Sequence, residues 1–431
     1  MRIERNKYLN KLIDRKENGY IKIITGIRRC GKSFLLSKLY KDYLISIGIE
    51  ESQIVEIQLD DIRNIKYRNP FELDEYVRAY VTKSHKMNYI FIDEIQLVEE
   101  VDNPHLKNGS KIGFVDVLIG LMKIENIDIY VTGSNSKMLS TDILTEFKDR
   151  GEEIRVNPLS FKEFYDCFED KQNAWREYFN YGGMPRLVTM SKHEDKSKYL
   201  KDLFSKTYIT DVIERNNVRK DKEFFDDLLN ILASSIGSLT NPRNIANTFK
   251  SKKKEVVHPA TLSNYIDYLI DAFIISKANR FDVKGRKYIE TPLKYYFTDI
   301  GLRNARLNFR QQEENHIMEN IIFNELSIRE FDIDIGNVEY NYTNSEGQNK
   351  RAQLEIDFVA NKVNKRYYIQ SALNVSSEEK RQQEIKSLLK VDDSFKKIVV
   401  VKDDIIPWHD DNGIFYLGIE KFLLDENSLD L

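Results

Sequence analysis

Residues 26–33 read Gly-Ile-Arg-Arg-Cys-Gly-Lys-Ser, a complete G-x-x-x-x-G-K-[ST] phosphate loop. The apolar run Ile21-Lys22-Ile23-Ile24-Thr25 precedes it, and an amphipathic stretch, Phe34-Leu35-Leu36-Ser37-Lys38-Leu39-Tyr40, follows. The loop therefore joins a strand to a helix, the context its mechanism requires. Gly26 and Gly31 let the backbone turn its N–H groups toward a phosphate where a Cβ would obstruct the approach. The helix starting near Lys32 adds the positive end of its dipole. Lys32 is placed to reach β- and γ-phosphates, and the Ser33 hydroxyl to hold Mg²⁺. Ile27, Arg28, Arg29, Cys30 and Phe34 complete the segment in contact with the nucleotide. The pattern implies a bound nucleoside triphosphate and a parallel α/β sheet around it.

Further strands continue the alternation. Ile54–Leu59 reads as a second strand, and a helical pattern near Phe71–Thr82 leads to Tyr89-Ile90-Phe91-Ile92-Asp93-Glu94. Four largely apolar residues ending in two acids describe a buried parallel strand with charge at its carboxyl end. Asp93 then belongs to the magnesium shell, and Glu94 orients and deprotonates the attacking water. The next strand, Ile127–Thr132, ends at Gly133-Ser134-Asn135. Ser134 and Asn135 read either as γ-phosphate sensors or as an ordinary turn. A fifth strand, Glu153–Val156, closes the series.

The ordered segments GIRRCGKS, YIFIDEIQ, VTGSNSKML, RGEEIRVNPLSFKEF and YGGMPRLV resemble the archaeal-type AAA+ ATPases of bacteria and archaea, whose C-terminal region is a domain of unknown function. The resemblance runs over essentially the whole chain. It implies a five-stranded core in the order 5-1-4-3-2, a helical lid from about Phe161 to Val218, and an ATPase site at Lys32, Ser33, Asp93 and Glu94. It favours adenine, and no guanine-reading N/T-K-x-D motif is apparent. Arg150, before the fifth strand, reads as an arginine offered to a neighbouring subunit of a homo-oligomer or as a solvated surface residue. Arg186, after Gly182-Gly183-Met184-Pro185, reads as an in-chain nucleotide contact or as a helix-start packing residue.

The pattern changes after Lys222. Apolar residues at helical spacing (224–232), a helix over Arg243–Phe249 capped by Asn241 with Pro242 at its first position, and a third helix over Pro259–Leu269 lead into an alternating stretch. The hairpin turns at Gly285 within Lys284-Gly285-Arg286-Lys287. Three helices and a basic hairpin make a winged helix-turn-helix. Residues 241–290 hold ten Lys or Arg against five Asp or Glu, while the whole chain carries −3. Such a module suits duplex DNA, with a protein-contact role as the alternative.

The last segment orders as α-β-β-β-α-β, which resembles the PD-(D/E)xK nuclease fold. Glu319 and Asp357 fall on its metal-binding positions, but Gln370 stands in the third and Ala372 in that of the lysine. An amide is a weak metal ligand and alanine activates no water. This predicts a degenerate nuclease-like domain, with Lys365 on the preceding turn as the one nearby basic substitute.

Composition sets the outer bounds. A chain of 431 residues holds two to four domains. The expected division is 1–160 core, 161–221 lid, 222–305 winged helix and 306–431 nuclease-like domain. Two cysteines, Cys30 and Cys167, cannot build a disulfide framework or zinc site and fit a reducing cytoplasm. No apolar segment is long enough to span a bilayer, so no membrane partner is expected. The combined expectation is a Mg²⁺-dependent ATPase working as a conformational switch or motor on DNA. The alternatives are a slow signalling ATPase with a protein partner and an ATP-gated nuclease.

Overall fold

The computed structural model describes residues 2–81, 86–105, 109–134, 151–216, 218, 222–310, 313–343 and 346–431. The chain forms two compact units. One comprises Met1–Pro158 with Asp271–Phe273, the other Leu159–Ile270 with Ile274–Leu431.

The first unit is built on five parallel strands: β1 (Ile21–Thr25), β2 (Ile54–Gln58), β3 (Asn88–Asp93), β4 (Ile127–Thr132) and β5 (Gly151–Arg155). Their order is β2-β3-β4-β1-β5, the arrangement the sequence implied. All five β1 residues are buried, as a strand covered on both faces requires. Val55, Ile57, Ile90, Ile92, Ile129 and Val131 pack on Leu73, Val77, Leu118 and Leu121 of the Pro70–Val81 and Phe114–Leu121 helices. The opposite face of the sheet carries a buried ion pair. Lys22 of β1 and Asp128 of β4, both buried, form an ion pair, and the Tyr130 hydroxyl donates to the same carboxylate at 2.6 Å. Buried charges persist only when paired and hydrogen-bonded, so this pair ties β1 to β4.

The second unit starts with a capping box. The Ser160 hydroxyl accepts the Glu163 N–H, and the Glu163 carboxylate accepts the Ser160 N–H, starting the helix Phe161–Cys167. The three helices expected after Lys222 form as Lys222–Ser234, Pro242–Thr248 and Pro259–Asp271. Asn241 caps the second by accepting the Asn244 N–H at 2.8 Å.

An eight-stranded mixed sheet follows. Its strands are β6 (Ile275–Asp282), β7 (Lys287–Phe297), β8 (Asp332–Thr343), β9 (Asn349–Lys362), β10 (Lys365–Ala372), β11 (Lys396–Val401), β12 (Trp408–His409) and β13 (Phe415–Gly418). They lie in the order β12-β13-β11-β10-β9-β8-β6-β7. Two features differ from the sequence reading. The β7 strand continues past residue 288 to Phe297 through Pro292, which an edge strand tolerates, and on its outer side Leu293 exchanges backbone hydrogen bonds with Thr240 at 2.8 Å each way. The β6–β7 hairpin is also not a separate wing. β6 pairs in parallel with β8, so one sheet runs across the boundary expected at 305/306.

The Gly-Gly pair of the YGGMP segment has a packing reason. Gly182 has φ +75°, and a Cβ there would lie 2.3 Å from an Asp299 oxygen. Asp299 accepts the Gly183 N–H at 2.7 Å and caps the Ile300–Arg306 helix through the Leu302 N–H at 3.1 Å. Asn304 donates to the carbonyls of Phe179 and Asn180. Burial outweighs the backbone hydrogen bonds and pushes Asp299 up to about 6. The folded state therefore holds a proton that the unfolded chain releases near pH 4, and stability falls as pH rises from about 4 to about 6. Urea unfolding at several pH values checks this: the wild type should lose about 3 kcal/mol relative to Asp299→Asn across that window. A pH-independent difference between the two proteins would show that Asp299 holds no proton.

Candidate functional site

The loop 26–33 leaves β1 at the sheet's carboxyl edge, and its shape is set by close contacts. Gly26 has φ +136°, and a Cβ on it would stand 2.1 Å from the Val156 carbonyl oxygen. No other residue fits there without moving the chain after β5. Cys30 is buried with its thiol donating to the same carbonyl at 3.2 Å, so it fills the loop's interior. Arg5, also buried, braces the loop from outside: its guanidinium donates to the Cys30 carbonyl at 3.0 Å and to that of Asn157 at 2.7 Å. Ile27 is buried, Arg28 partly covered, and Arg29 and Phe34 are exposed. Gly31 opens the helix in a left-handed conformation, φ +102°.

Lys32 is buried, and its ammonium donates to the Gly26 and Ile27 carbonyls at 2.9 and 3.1 Å. A cation folded onto its own loop carbonyls has weak, neutral partners that an anion can replace. Beside it, the Ser33 hydroxyl donates to Asp93 at 3.0 Å, and the Thr132 hydroxyl donates to the same Asp93 oxygen. Burial raises the Asp93 pKa, although Thr132 and Ser33 work against the rise. A hydroxyl and a carboxylate meeting in this way are the hard oxygen donors Mg²⁺ takes. The donor set thus fits a triphosphate with its metal.

Glu94 stands one residue beyond, in a left-handed conformation with φ +56°. Its N–H donates to the Thr132 hydroxyl at 3.0 Å. Its carboxylate accepts from the Gln96 amide and, at 3.3 Å, from the Ser134 hydroxyl. The other end of Gln96, its Oε1, is buried and unpaired. A non-glycine residue held at positive φ costs roughly 1–3 kcal/mol and is typical of functional positions. The fold therefore gathers Lys32, Ser33, Asp93, Glu94 and Ser134 at the ends of β1, β3 and β4. Asn135 and Arg150 lie outside the described residues.

The remaining candidates belong to the second unit. Arg186 is exposed, its guanidinium 5.6 Å from the Tyr199 ring centre. Glu319 and Asp357 are both buried and do come together, with Gln370 accepting the Asp357 N–H at 3.4 Å. The basic group beside them is not Lys365, which reaches instead to both oxygens of Asp430 at 2.9 and 2.8 Å. Lys294 of β7 occupies the cluster: its ammonium lies 2.8 Å from Glu319, 2.7 Å from Glu355 and 3.9 Å from Asp357. Burial opposes its charge, but the carboxylates of Glu319, Asp357 and Glu355 win and raise its pKa. The Lys294 charge in turn offsets burial at Glu319 and holds that carboxyl below its usual range. Burial beside the Glu319 charge pushes Asp357 well up, toward a proton of its own. Among the described residues no group of three or more His, Cys, Asp and Glu is arranged to hold a metal ion.

Sequence reasoning missed Lys294, Glu355, Gln96, Thr132 and Arg5. Thr132, as the last residue of the strand ending at Ser134, and Gln96, two residues after Glu94, lay within reach of local signals. Arg5, Lys294 and Glu355 act across 25 or more residues.

Comparison with known proteins agrees with the first unit. A family model described as an AAA domain matches residues 18–165, and one described as a domain of unknown function matches residues 172–313. Among solved structures, a Walker-type ATPase of Pyrococcus abyssi is similar at 14% identity and a TM-score of 0.45, covering 71% of this chain and 96% of that one. The ORC1 protein of Aeropyrum pernix in complex with DNA gives 13% and 0.32, covering 72% and 93%. The protein MJ1544 of Methanocaldococcus jannaschii, described as uncharacterized, is 28% identical over 441 residues, 97% of this chain and 86% of its own length. An uncharacterized protein of Haemophilus influenzae is 32% identical over 404 residues, 92% of this chain and 93% of its own. With its five-stranded parallel sheet and matched AAA domain, the chain belongs to the same family as the Haemophilus influenzae protein.

Proposed function

We propose that this protein is a Mg²⁺-dependent ATPase that uses hydrolysis as a conformational switch in association with nucleic acid. The observation that carries the reading is the convergence of Ser33, Asp93, Thr132 and Glu94 beside a lysine whose ammonium donates to two loop carbonyls. Bound Mg·ATP supplies the electrophilic γ-phosphoryl group and its charge-neutralising ion. Lys32 exchanges the Gly26 and Ile27 carbonyls for phosphate oxygens, and Ser33 with Asp93 holds the ion. Glu94 orients water and takes its proton. Ser134, bonded to Glu94, links that base to the end of β4. Gln96 donates to the Glu94 carboxylate and restrains it.

Nucleic-acid association rests on the excess of basic residues in 241–290, which is opposite in sign to the chain as a whole. The second unit is read as making no metal-dependent cuts, because Gln370 and Ala372 stand where a nuclease carries its third acid and its lysine.

Steady-state hydrolysis and nucleotide-binding assays test the site. Lys32→Ala should abolish ATP binding, while Glu94→Gln should keep binding and lose about 10²- to 10⁴-fold in turnover. Undiminished turnover in Glu94→Gln would assign the base elsewhere. Gln96→Leu removes one hydrogen bond from the base, so kcat should rise about fivefold with KM for ATP unchanged. A fall in kcat would mean that Gln96 aligns Glu94 for attack rather than restraining it. Incubation of plasmid DNA with Mg²⁺ or Mn²⁺ should leave it intact; cleavage lost in Asp357→Ala would restore the nuclease reading.

A further inference from the structure

A cavity of about 710 Å³ opens in the second unit between the β6–β7 turn, the β9–β10 turn and the loop leading into β11. Its volume lies within the roughly 300–1,000 Å³ of sites that take a small molecule or one nucleotide. Two non-glycine residues at positive φ line it: Arg286 at φ +50° and Val363 at φ +54°. Left-handed backbone is unfavourable for any side-chain-bearing residue and most of all for a β-branched one. At Val363 the two-residue loop between the paired Lys362 and Lys365 itself calls for that conformation. The Val363 side chain is fully exposed, at 102%, and Arg286 is exposed with no ion pair to another described residue.

The turn bearing Arg286 is nonetheless held firmly. Asp282 accepts the Gly285 N–H at 2.9 Å through its side chain and the Arg286 N–H at 2.7 Å through its carbonyl. Across the cavity the Arg366 guanidinium lies 5.5 Å from the Phe281 ring centre and 5.2 Å from that of Phe395, which is 40% exposed. Of the acids, Asp393 is occupied by the Tyr368 hydroxyl and the Phe395 N–H. Asp392 is exposed, 3.9 Å from Lys284.

We propose that this cavity receives one nucleotide of a single-stranded nucleic acid. Arg286 and Lys284 take the phosphate, the base lies against Phe395 and Val363, and Asp392 accepts from a sugar hydroxyl or a base amino group. Cations at a turn tip beside an exposed ring give the charge-plus-stacking pairing that single strands need, whereas a duplex keeps its bases stacked inside. An acidic peptide would use the cations and leave the ring without a planar partner. The inference rests on the nucleic-acid association proposed above and narrows it to one pocket and one kind of strand.

Fluorescence anisotropy of the full-length protein with a labelled oligothymidylate of about 20 nucleotides tests it. Arg286→Glu and Phe395→Ala should each weaken binding about tenfold with melting temperature unchanged. Arg286→Gly, which relieves the backbone, should bind as poorly while folding at least as well. Duplex of the same length should bind less tightly and respond less to Phe395→Ala. Binding that survives all three pocket variants but is lost when Lys252, Lys253 and Lys254 become alanine would overturn the pocket alone. No binding of either oligonucleotide at low salt would overturn the association itself. Competition by polyglutamate as strong as by unlabelled oligothymidylate would overturn the choice of ligand.

Discussion

The position of β1 inside the parallel sheet is the constraint on which the candidate site depends. With β4 on one side and β5 on the other, β1 has no register freedom, and a one-residue slip would carry Lys22 away from Asp128. The loop leaving β1 must then pass directly over the chain leaving β5, where the Val156 carbonyl leaves room only for a glycine. On its other side, β4 ends where Thr132 and Ser134 meet the acids of β3. The phosphate loop, Asp93 and Glu94 are thus brought together by strand order and not by any affinity for one another.

Several polar groups are held against their solvent preference. Lys32 is buried on carbonyls, Asp93 is raised by burial, and Glu94 sits at positive φ with its carboxylate held by an amide whose own oxygen is unpaired. None of these is the lowest-energy choice for an isolated peptide. The second unit contains a further case. Around Lys294 one ammonium is shared among the carboxylates of Glu319, Glu355 and Asp357, and Asp357, buried beside the Glu319 charge, is driven toward its protonated form.

The first unit was legible because its signals are local. Alternation of apolar runs with helical spacing, a glycine-bounded loop and Asp-Glu at a strand end each lie within a few residues, and the sheet order followed from the resemblance those motifs carried. The three helices after Lys222 were legible for the same reason, including the Asn241 cap. The hairpin was only half legible. Gly285 marked the turn, but the positive φ belongs to Arg286, and Pro292 concealed the continuation of β7. Asp299 gave a helix-cap signature at most, with no sign that it would anchor a Gly-Gly pair more than a hundred residues earlier.

By itself the sequence determined which residues could touch a phosphate and an ion, because a phosphate loop needs its glycines, lysine and serine contiguous. It also determined that Gln370 and Ala372 weaken any nuclease reading. Only the tertiary structure decided what those side chains meet. It placed Thr132 on Asp93, put Lys294 rather than Lys365 among the carboxylates, and joined two turns about eighty residues apart around one cavity. Such contacts are set by strand order and register, which depend on the packing of the whole unit, so no local stretch of sequence encodes them.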